Sequence, residues 1–379
     1  MAVRTASGLV VVLLLALAGI CWYFSGLAVA VSHDQVRDVT ASPASGGQVQ
    51  LSLTHYASLP GRYGLAWDGG YAAVGEVSSS TSTEVTRPLT PALGVLAPGT
   101  KVEVDVFAYP GDPQVALGLG FQDVPVHGEL GDYPAWYVPS PGGAQADRGR
   151  TWVVFVHGHD SNRRESLRYL NTWNQLGLPV LVPSYRNDVG APASPDGADH
   201  LGDTEWRDVQ SAVQWALDAG ARNVVLAGWS MGGAVSLQFV ERSPLARSVI
   251  GLLLDSPVLD WRGVFVFQGG KRGLPEPVAQ LAAWTIERRI GVDLGRFDWA
   301  ARSAEWPLPA LVFASDGDTY VPDGPALRLA RLRPDLVQLV NDPRADHTRT
   351  WNVDPAAYDA TMTRWLRQVG AVSPQPAPA

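Results

Sequence analysis

Six short runs of apolar residues, at 152–157, 179–185, 223–229, 249–254, 308–314 and 336–340, constrain this chain more than any other feature. Several are unbroken, as in Trp152-Val153-Val154-Phe155-Val156, and do not alternate with polar residues. A strand of that kind buries both faces, as strands do in a parallel sheet covered by helices on either side. Between the runs, residues 165–176, 204–219 and 232–242 carry apolar stripes at helical spacing. The repeated alternation predicts an α/β fold with a doubly wound, mostly parallel sheet. Two further short strands are expected at 121–129 and 133–139, just ahead of the set.

The N-terminal third has a different character. Residues 8–31 carry no charge, and 24 residues of helix at ~1.5 Å each reach about 36 Å, enough to cross a bilayer. Arg4 precedes this run, and Asp34 and Asp38 follow it. The positive-inside tendency then puts residues 1–7 in the cytoplasm and the rest of the chain outside it, anchored by a transmembrane helix. The alternative is a secreted protein, since Ala28-Val29-Ala30 has the small-residue pattern of a signal cleavage site. The lone cysteine, Cys21, forbids an intramolecular disulfide and reads as a small apolar residue in lipid. Residues 40–118 are rich in Gly, Ser, Thr, Pro and Val with short alternating runs, which predicts a small β-rich module with a structural or recognition role. Residues 369–379 end in Ser-Pro-Gln-Pro-Ala-Pro-Ala and form a polar tail that cannot pack. With a net charge of −8 and no cluster of Lys or Arg, nucleic acid is not an expected partner.

The chemistry concentrates at Gly228-Trp229-Ser230-Met231-Gly232, where the run 223–229 hands over to a helical pattern. A GxSxG sequence in that setting is a nucleophile elbow: Gly228 and Gly232 let strand and helix approach while the Ser230 hydroxyl projects from a strained turn. At the end of the run 152–157, Val156-His157-Gly158-His159 can supply a backbone N–H to an oxyanion. The His159 amide is the candidate donor and the Met231 amide the second. His157 and His159 lack a nearby pair of carboxylates and no HExxH occurs, so no metal and no organic cofactor is expected. A serine needs a base, and His347 follows the last strand, at the sheet's carboxyl edge. For the orienting acid the order Ser, Asp, His favours Asp318, with Asp316 and Asp255 as alternatives. The stretches 184–188 and 201–206 lie near the crevice and either shape substrate recognition or are an ordinary loop and a helix start capped by Asp203 or Thr204.

Taken in order, His157-Gly158, Gly228-Trp229-Ser230-Met231-Gly232-Gly233, the DxxVP stretch from Asp318 and His347 resemble the α/β-hydrolase fold superfamily across 121–368, most of all its bacterial serine-aminopeptidase-like members. That resemblance implies Ser230 as nucleophile, His347 as base and Asp318 as its partner. It also implies a small helical cap at 257–307, which holds Trp261, Phe265, Phe267, Trp284, Phe297 and Trp299. The expected activity is hydrolysis of a small-molecule ester or thioester, with a serine peptidase or a catalytically inactive binding module as alternatives.

Overall fold

The computed structural model describes residues 2–33 and 36–372, and side chains from Val11 onward; Asp34, the Arg4 side chain and the stretch 373–379 lie outside the described residues. Two separate sheets organise the chain. The first is antiparallel, with strands β1 (Val39–Ala44), β2 (Gln48–Ser52), β3 (Tyr63–Trp67), β4 (Gly70–Val74), β5 (Ser79–Ser80), β6 (Glu84–Pro88) and β7 (Thr100–Asp105) in the order β4-β3-β7-β1-β2-β6-β5. It closes on its own core, which includes Val39, Val49, Leu51, Leu65, Trp67 and Val102. One short helical turn, His55–Ser58, lies between its strands, and another, Pro113–Leu117, comes after β7.

The second sheet holds β8 (Gln122–Gly128), β9 (Gly131–Val138), β10 (Thr151–Val156), β11 (Val180–Pro183), β12 (Asn223–Trp229), β13 (Val249–Asp255), β14 (Ala310–Ala314) and β15 (Val337–Asn341). Its order is β15-β14-β13-β12-β10-β11-β9-β8, parallel from β15 to β11, with the β8–β9 hairpin added antiparallel at one edge. The unbroken apolar runs have the meaning inferred for them. All six residues of β10 are buried; Trp152, Val154 and Val156 enter one core and Val153 and Phe155 the other. The helices Trp206–Asp218 and Met231–Arg242 cover the first face, and Leu167–Gln175 and Pro355–Gln368 the second. Burying a Val, Leu or Phe side chain contributes ~1.5–3 kcal/mol, so this double-sided burial is the main source of the sheet's stability. Because β11 lies on one side of β10 and β12 on the other, the strand order reverses between β10 and β12. A crevice forms at the carboxyl ends of strands at such a reversal.

Between β13 and β14 two helices, Trp261–Lys271 and Glu276–Ile290, rise over that crevice. The apolar N-terminal helix runs over Ala2–Ala28 and stops there. Beyond it the chain bends at Val29, which is buried among the first core of the large sheet, and Ala30 bridges Ala198. The small residues that resemble a cleavage site therefore also serve close packing. At the other end Val369 and Ala371 still pack against the second core.

Candidate active site

Ser230 stands between β12 and the helix Met231–Arg242 with φ 53° and ψ −119°. A non-glycine residue at positive φ is strained and persists only where the surroundings over-determine it. Here the Ser230 amide donates to the Asp255 carbonyl at 2.9 Å, and its own carbonyl accepts from Gly233 and Val258 at 3.0 and 3.1 Å. The two elbow glycines are sterically required. A Cβ on Gly232 would lie 2.0 Å from the Val156 carbonyl oxygen, and one on Gly228 would lie 2.5 Å from that of Gly232.

His347 Nε2 lies 2.8 Å from Ser230 Oγ, and its Nδ1 lies 2.7 Å from Asp318 Oδ2. The other oxygen of Asp318 accepts the amides of Tyr320 and Val321 at 2.7 and 2.8 Å, which fixes the plane of the carboxylate. Of the three acids considered, Asp318 therefore meets His347. Asp316 is exposed on the turn, while Asp255 is fully buried and bonds Ser256, with burial, opposed by Arg168, pushing its carboxyl up to about 6.

The turn after β10 is held from below. The Gly158 amide donates to Glu165 Oε2 at 2.9 Å, and the Gly158 carbonyl accepts from Tyr185 Oη at 2.9 Å. His157 Nδ1 reaches the same carbonyl and its Nε2 reaches Asp188 Oδ2, at 2.9 and 2.8 Å. Both partners are acceptors, so both ring nitrogens donate. Burial opposes that charge, but Asp188 outweighs it and raises the His157 pKa. With Gly158 engaged, the next amide, that of His159, and the first amide of the helix, that of Met231, hold no hydrogen bond among the described residues and stand beside Ser230. A Cβ on Gly158 would come within 3.2 Å of Ser230 Cβ, so the turn lies directly against the serine.

The His159 side chain has partners that sequence reasoning missed. Its Nδ1 lies 3.2 Å from Asp160 Oδ2, and its Nε2 lies 3.0 Å from Asp199 Oδ2, the latter an ionic contact without hydrogen-bond alignment. The expectation that no carboxylate pair lies near the histidines is thus corrected, because Asp199 arrives from a loop 40 residues away in sequence. The three ligand atoms fall within 4.8 Å of one another. Burial opposes the imidazolium, yet the two carboxylates push the His159 pKa up to about 10. Asp160 also accepts the Ser32 amide at 3.0 Å, so this ion-pair group fastens the segment after the N-terminal helix.

Asp346 is a second residue of the site without a sequence signal. Its Oδ1 accepts from the His347 amide, the Thr319 amide and the Thr319 hydroxyl at 2.7–2.8 Å, which ties the Asp318 loop to the His347 loop. Its Oδ2 faces His55 Nε2 at 2.8 Å, a side chain from the antiparallel module. Burial opposes its charge, but Arg349, His55 and the amides hold its carboxyl well below the usual carboxylate range. Nearby, Tyr56 and Tyr320 join hydroxyls at 2.9 Å.

The stretch 184–188 is structural. Arg186 pairs with Asp208 and Glu129, and Asn187 holds Asp199 and Ser194. Neither Asp203 nor Thr204 caps the helix Trp206–Asp218. Instead Glu205 sits at the N-cap position and gathers the amides of His200, Gly202 and Thr204, while Asp203 pairs with Arg242.

A cavity of about 400 Å³ opens above Ser230. Val258, Trp261 and Val264 line it from the cap side, Tyr56 and Phe107 from the module, and Ala28 from the N-terminal helix.

Residues 153–377 match the alpha/beta hydrolase family, and residues 35–105 match a domain of unknown function. The AB hydrolase superfamily protein YisY of Bacillus subtilis is 24% identical over 229 residues, covering 57% of this chain and 80% of that protein. An esterase from Pyrococcus furiosus superposes with a TM-score of 0.53 at 18% identity, covering 68% of this chain and 96% of its own. A butyrate-bound thermophilic esterase from Thermogutta terrifontis gives 0.51 at 16% identity, covering 69% and 97%. The family match takes in the strands from β10 onward, the elbow at Ser230 and the loops that carry Asp318 and His347, and with it this chain belongs to the alpha/beta hydrolase family.

Proposed function

We propose that this protein is a serine hydrolase that cleaves carboxylic esters or thioesters through an acyl-enzyme. Ser230 is the nucleophile, His347 the general base and then acid, and Asp318 the carboxylate that orients it. The observation that carries this reading is the unbroken chain Ser230 Oγ to His347 Nε2 to Asp318 at 2.8 and 2.7 Å, starting from a serine at a strained elbow. As Oγ forms its bond to the substrate carbonyl carbon, its proton passes to Nε2, and Asp318 stabilises the imidazolium. The carbonyl oxygen becomes an oxyanion, for which the amides of His159 and Met231 are the donors. Collapse breaks the bond to the leaving oxygen or sulfur, which takes the proton from Nε2. A water then gives a proton to the same nitrogen and attacks the acyl-enzyme, releasing the acid and restoring Ser230.

Acyl esters suit the site better than peptides. The cap side of the cavity is mostly apolar, with Val258, Trp261 and Val264 beside Gln268, and the carboxylates at its edge are already engaged: Glu165 by Gly158 and Arg168, Asp160 by His159 and Ser32. None is left to capture a peptide amino terminus, as an aminopeptidase-like member would require. The apolar helix Ala2–Ala28 anchors the enzyme in a membrane with the body outside the cytoplasm, a reading supported by Val11 to Leu15, each more than half exposed.

Replacing Ser230 with Ala should lower ester turnover by on the order of 10⁴ or more and abolish labelling by a fluorophosphonate probe, with thermal stability retained. Wild-type turnover and labelling in Ser230→Ala would refute the mechanism. A mature N-terminus at Val31 by mass spectrometry would replace the anchor with secretion.

A further inference from the structure

The N-terminal helix does more than precede the body. Its last two turns lie along the cap helix Glu276–Ile290, with Cys21 and Ser25 buried in the contact. The Arg289 guanidinium sits 4.3 Å above the Trp22 ring and donates to the Trp22 carbonyl and the Ser25 hydroxyl at 3.1 and 3.3 Å. Between the two helices lies a second cavity, of about 250 Å³, walled by Phe24 and Leu27 on one side and by Val264, Phe265, Ala282 and Ile286 on the other. It adjoins the cavity above Ser230: Ala28, His159, Val264, Gln268 and Tyr320 line both.

Both helices of this seam carry exposed apolar side chains: on the N-terminal helix Leu27 is 53% exposed and Trp22 and Tyr23 are exposed with it, and on the cap helix Trp284 is 50% exposed and Leu281 is exposed too. Arg288 stacks over Trp284 at 5.2 Å. Exposed Trp and Tyr with arginines at hand mark the level of a membrane–water interface. The run Val11 to Leu15, further back along the helix, then lies in the hydrocarbon.

From this continuity we infer that the end of the N-terminal helix forms one wall of the acyl site, and that the substrate is a long-chain acyl ester residing in a lipid bilayer. The inference rests on the acyl-enzyme reading above and adds the class of substrate. Its acyl chain enters between the helix and the cap and reaches Ser230 without crossing water. Leu27 and Phe24 replace the lipid neighbours the chain leaves behind, so the transfer from bilayer to site exposes little apolar surface.

The test uses the full chain reconstituted in phosphatidylcholine vesicles and a series of p-nitrophenyl esters of rising acyl length. The kcat/KM should climb by roughly fourfold per methylene, about 200-fold from acetate to hexanoate. Leu27→Trp, on the lipid-exposed side, and Ala282→Phe, on the cap side, fill the second cavity from opposite walls. Each should reduce that ratio by about tenfold or more, the effect of losing room for two methylenes. In a second arm, a fluorogenic long-chain ester should be cleaved when it shares vesicles with the enzyme and spared when it is held in separate vesicles. A wild type that prefers acetate, variants that both keep the wild-type ratio, or equal cleavage in shared and separate vesicles would each overturn the inference while leaving the acyl-enzyme reading intact. Absence of probe labelling at Ser230 together with no turnover of any ester would bring down both.

Discussion

The two sheets approach the site in opposite ways. The large sheet delivers its reactive groups from strand ends and tight turns, where burial on both faces leaves the backbone no room: the Ser230 elbow is held by β13, and a single added carbon on Gly232 would collide with β10. The antiparallel module has a core of its own and reaches the site at its rim, through residues that include His55, Tyr56 and Phe107. It is fastened by polar contacts. Asn352 bonds the carbonyls of Arg62 and Val106 at 2.7 and 2.8 Å, and Arg164 pairs with Asp105 at 2.5 Å. The contrast teaches that the Ser230 elbow is housed where packing tolerates no adjustment, while the attached module meets its surroundings through a few hydrogen bonds. Changes in the large sheet should therefore remove chemistry, and changes in the module should only detune it.

The largest effect is expected at Asp318. Asn at this position keeps the shape but loses the charge that stabilises the imidazolium and favours the wrong tautomer of His347, so kcat should fall by roughly 10⁴. Asp316→Asn, on the exposed turn, should change turnover little. Asp255→Asn, at a fully buried carboxyl hydrogen-bonded by Ser256 and not by His347, should act mainly on thermal stability. Steady-state kinetics of the three variants decide the matter, and a dominant loss at Asp255 or Asp316 would move the acid away from Asp318.

The features of this region that were legible in the sequence share a physical reason. Unbroken apolar runs have few ways to be buried, GxSxG needs its two glycines for one close approach, and a loop histidine after the last strand falls at the carboxyl edge of the sheet. The missing parts share a different trait. His55 meets Asp346 across 291 positions in the chain, and His159 meets Asp199 by way of a loop whose path depends on Asn187 at φ 73°. Neither contact imposes a local pattern, since any exposed-looking His or Asp would satisfy the same sequence statistics. The inner surface of the N-terminal helix was hidden for a similar reason: a helix made for lipid and a helix made for an apolar cap read alike.

A smaller effect is expected in the module. His55→Ala removes a hydrogen bond to Asp346, the residue that joins the loops of Asp318 and His347, and a bond to a charged acceptor contributes ~1.5–3 kcal/mol when buried. His55 is half exposed, and with that discount kcat should drop by roughly threefold to tenfold. As a positioning residue it should leave KM unchanged and slow fluorophosphonate labelling in parallel with kcat. His55→Gln keeps a donor and should restore most of the rate. A change in KM alone, or a loss as large as that at Asp318, would break the contrast between the sheets.

The smallest effect concerns the ion-pair group that fastens the segment after the N-terminal helix. His159 has a pKa pushed up to about 10 by Asp160 and Asp199, against ~6.5 in an unfolded chain. A raised folded value means that the folded state binds the proton more tightly, so the associated stability is fully present below ~6.5 and is lost as pH rises toward about 10. Across that window the wild type should lose thermal stability faster than His159→Gln, which has no proton to release and keeps the backbone amide proposed for the oxyanion. The loss should begin locally, because Asp160 accepts the Ser32 amide and the Asp199 amide donates to the Val29 carbonyl. Hydrogen exchange at residues 28–33 should therefore accelerate between pH 7 and 10 in the wild type, after correction for the intrinsic rate, and show no such step in His159→Gln. Since Ala28 borders the second cavity, the long-chain ester ratio should decline over the same pH range. A wild type and variant with the same pH dependence of exchange would show that the carboxylates do not hold the proton on His159, and the tether would then rest on backbone pairing alone.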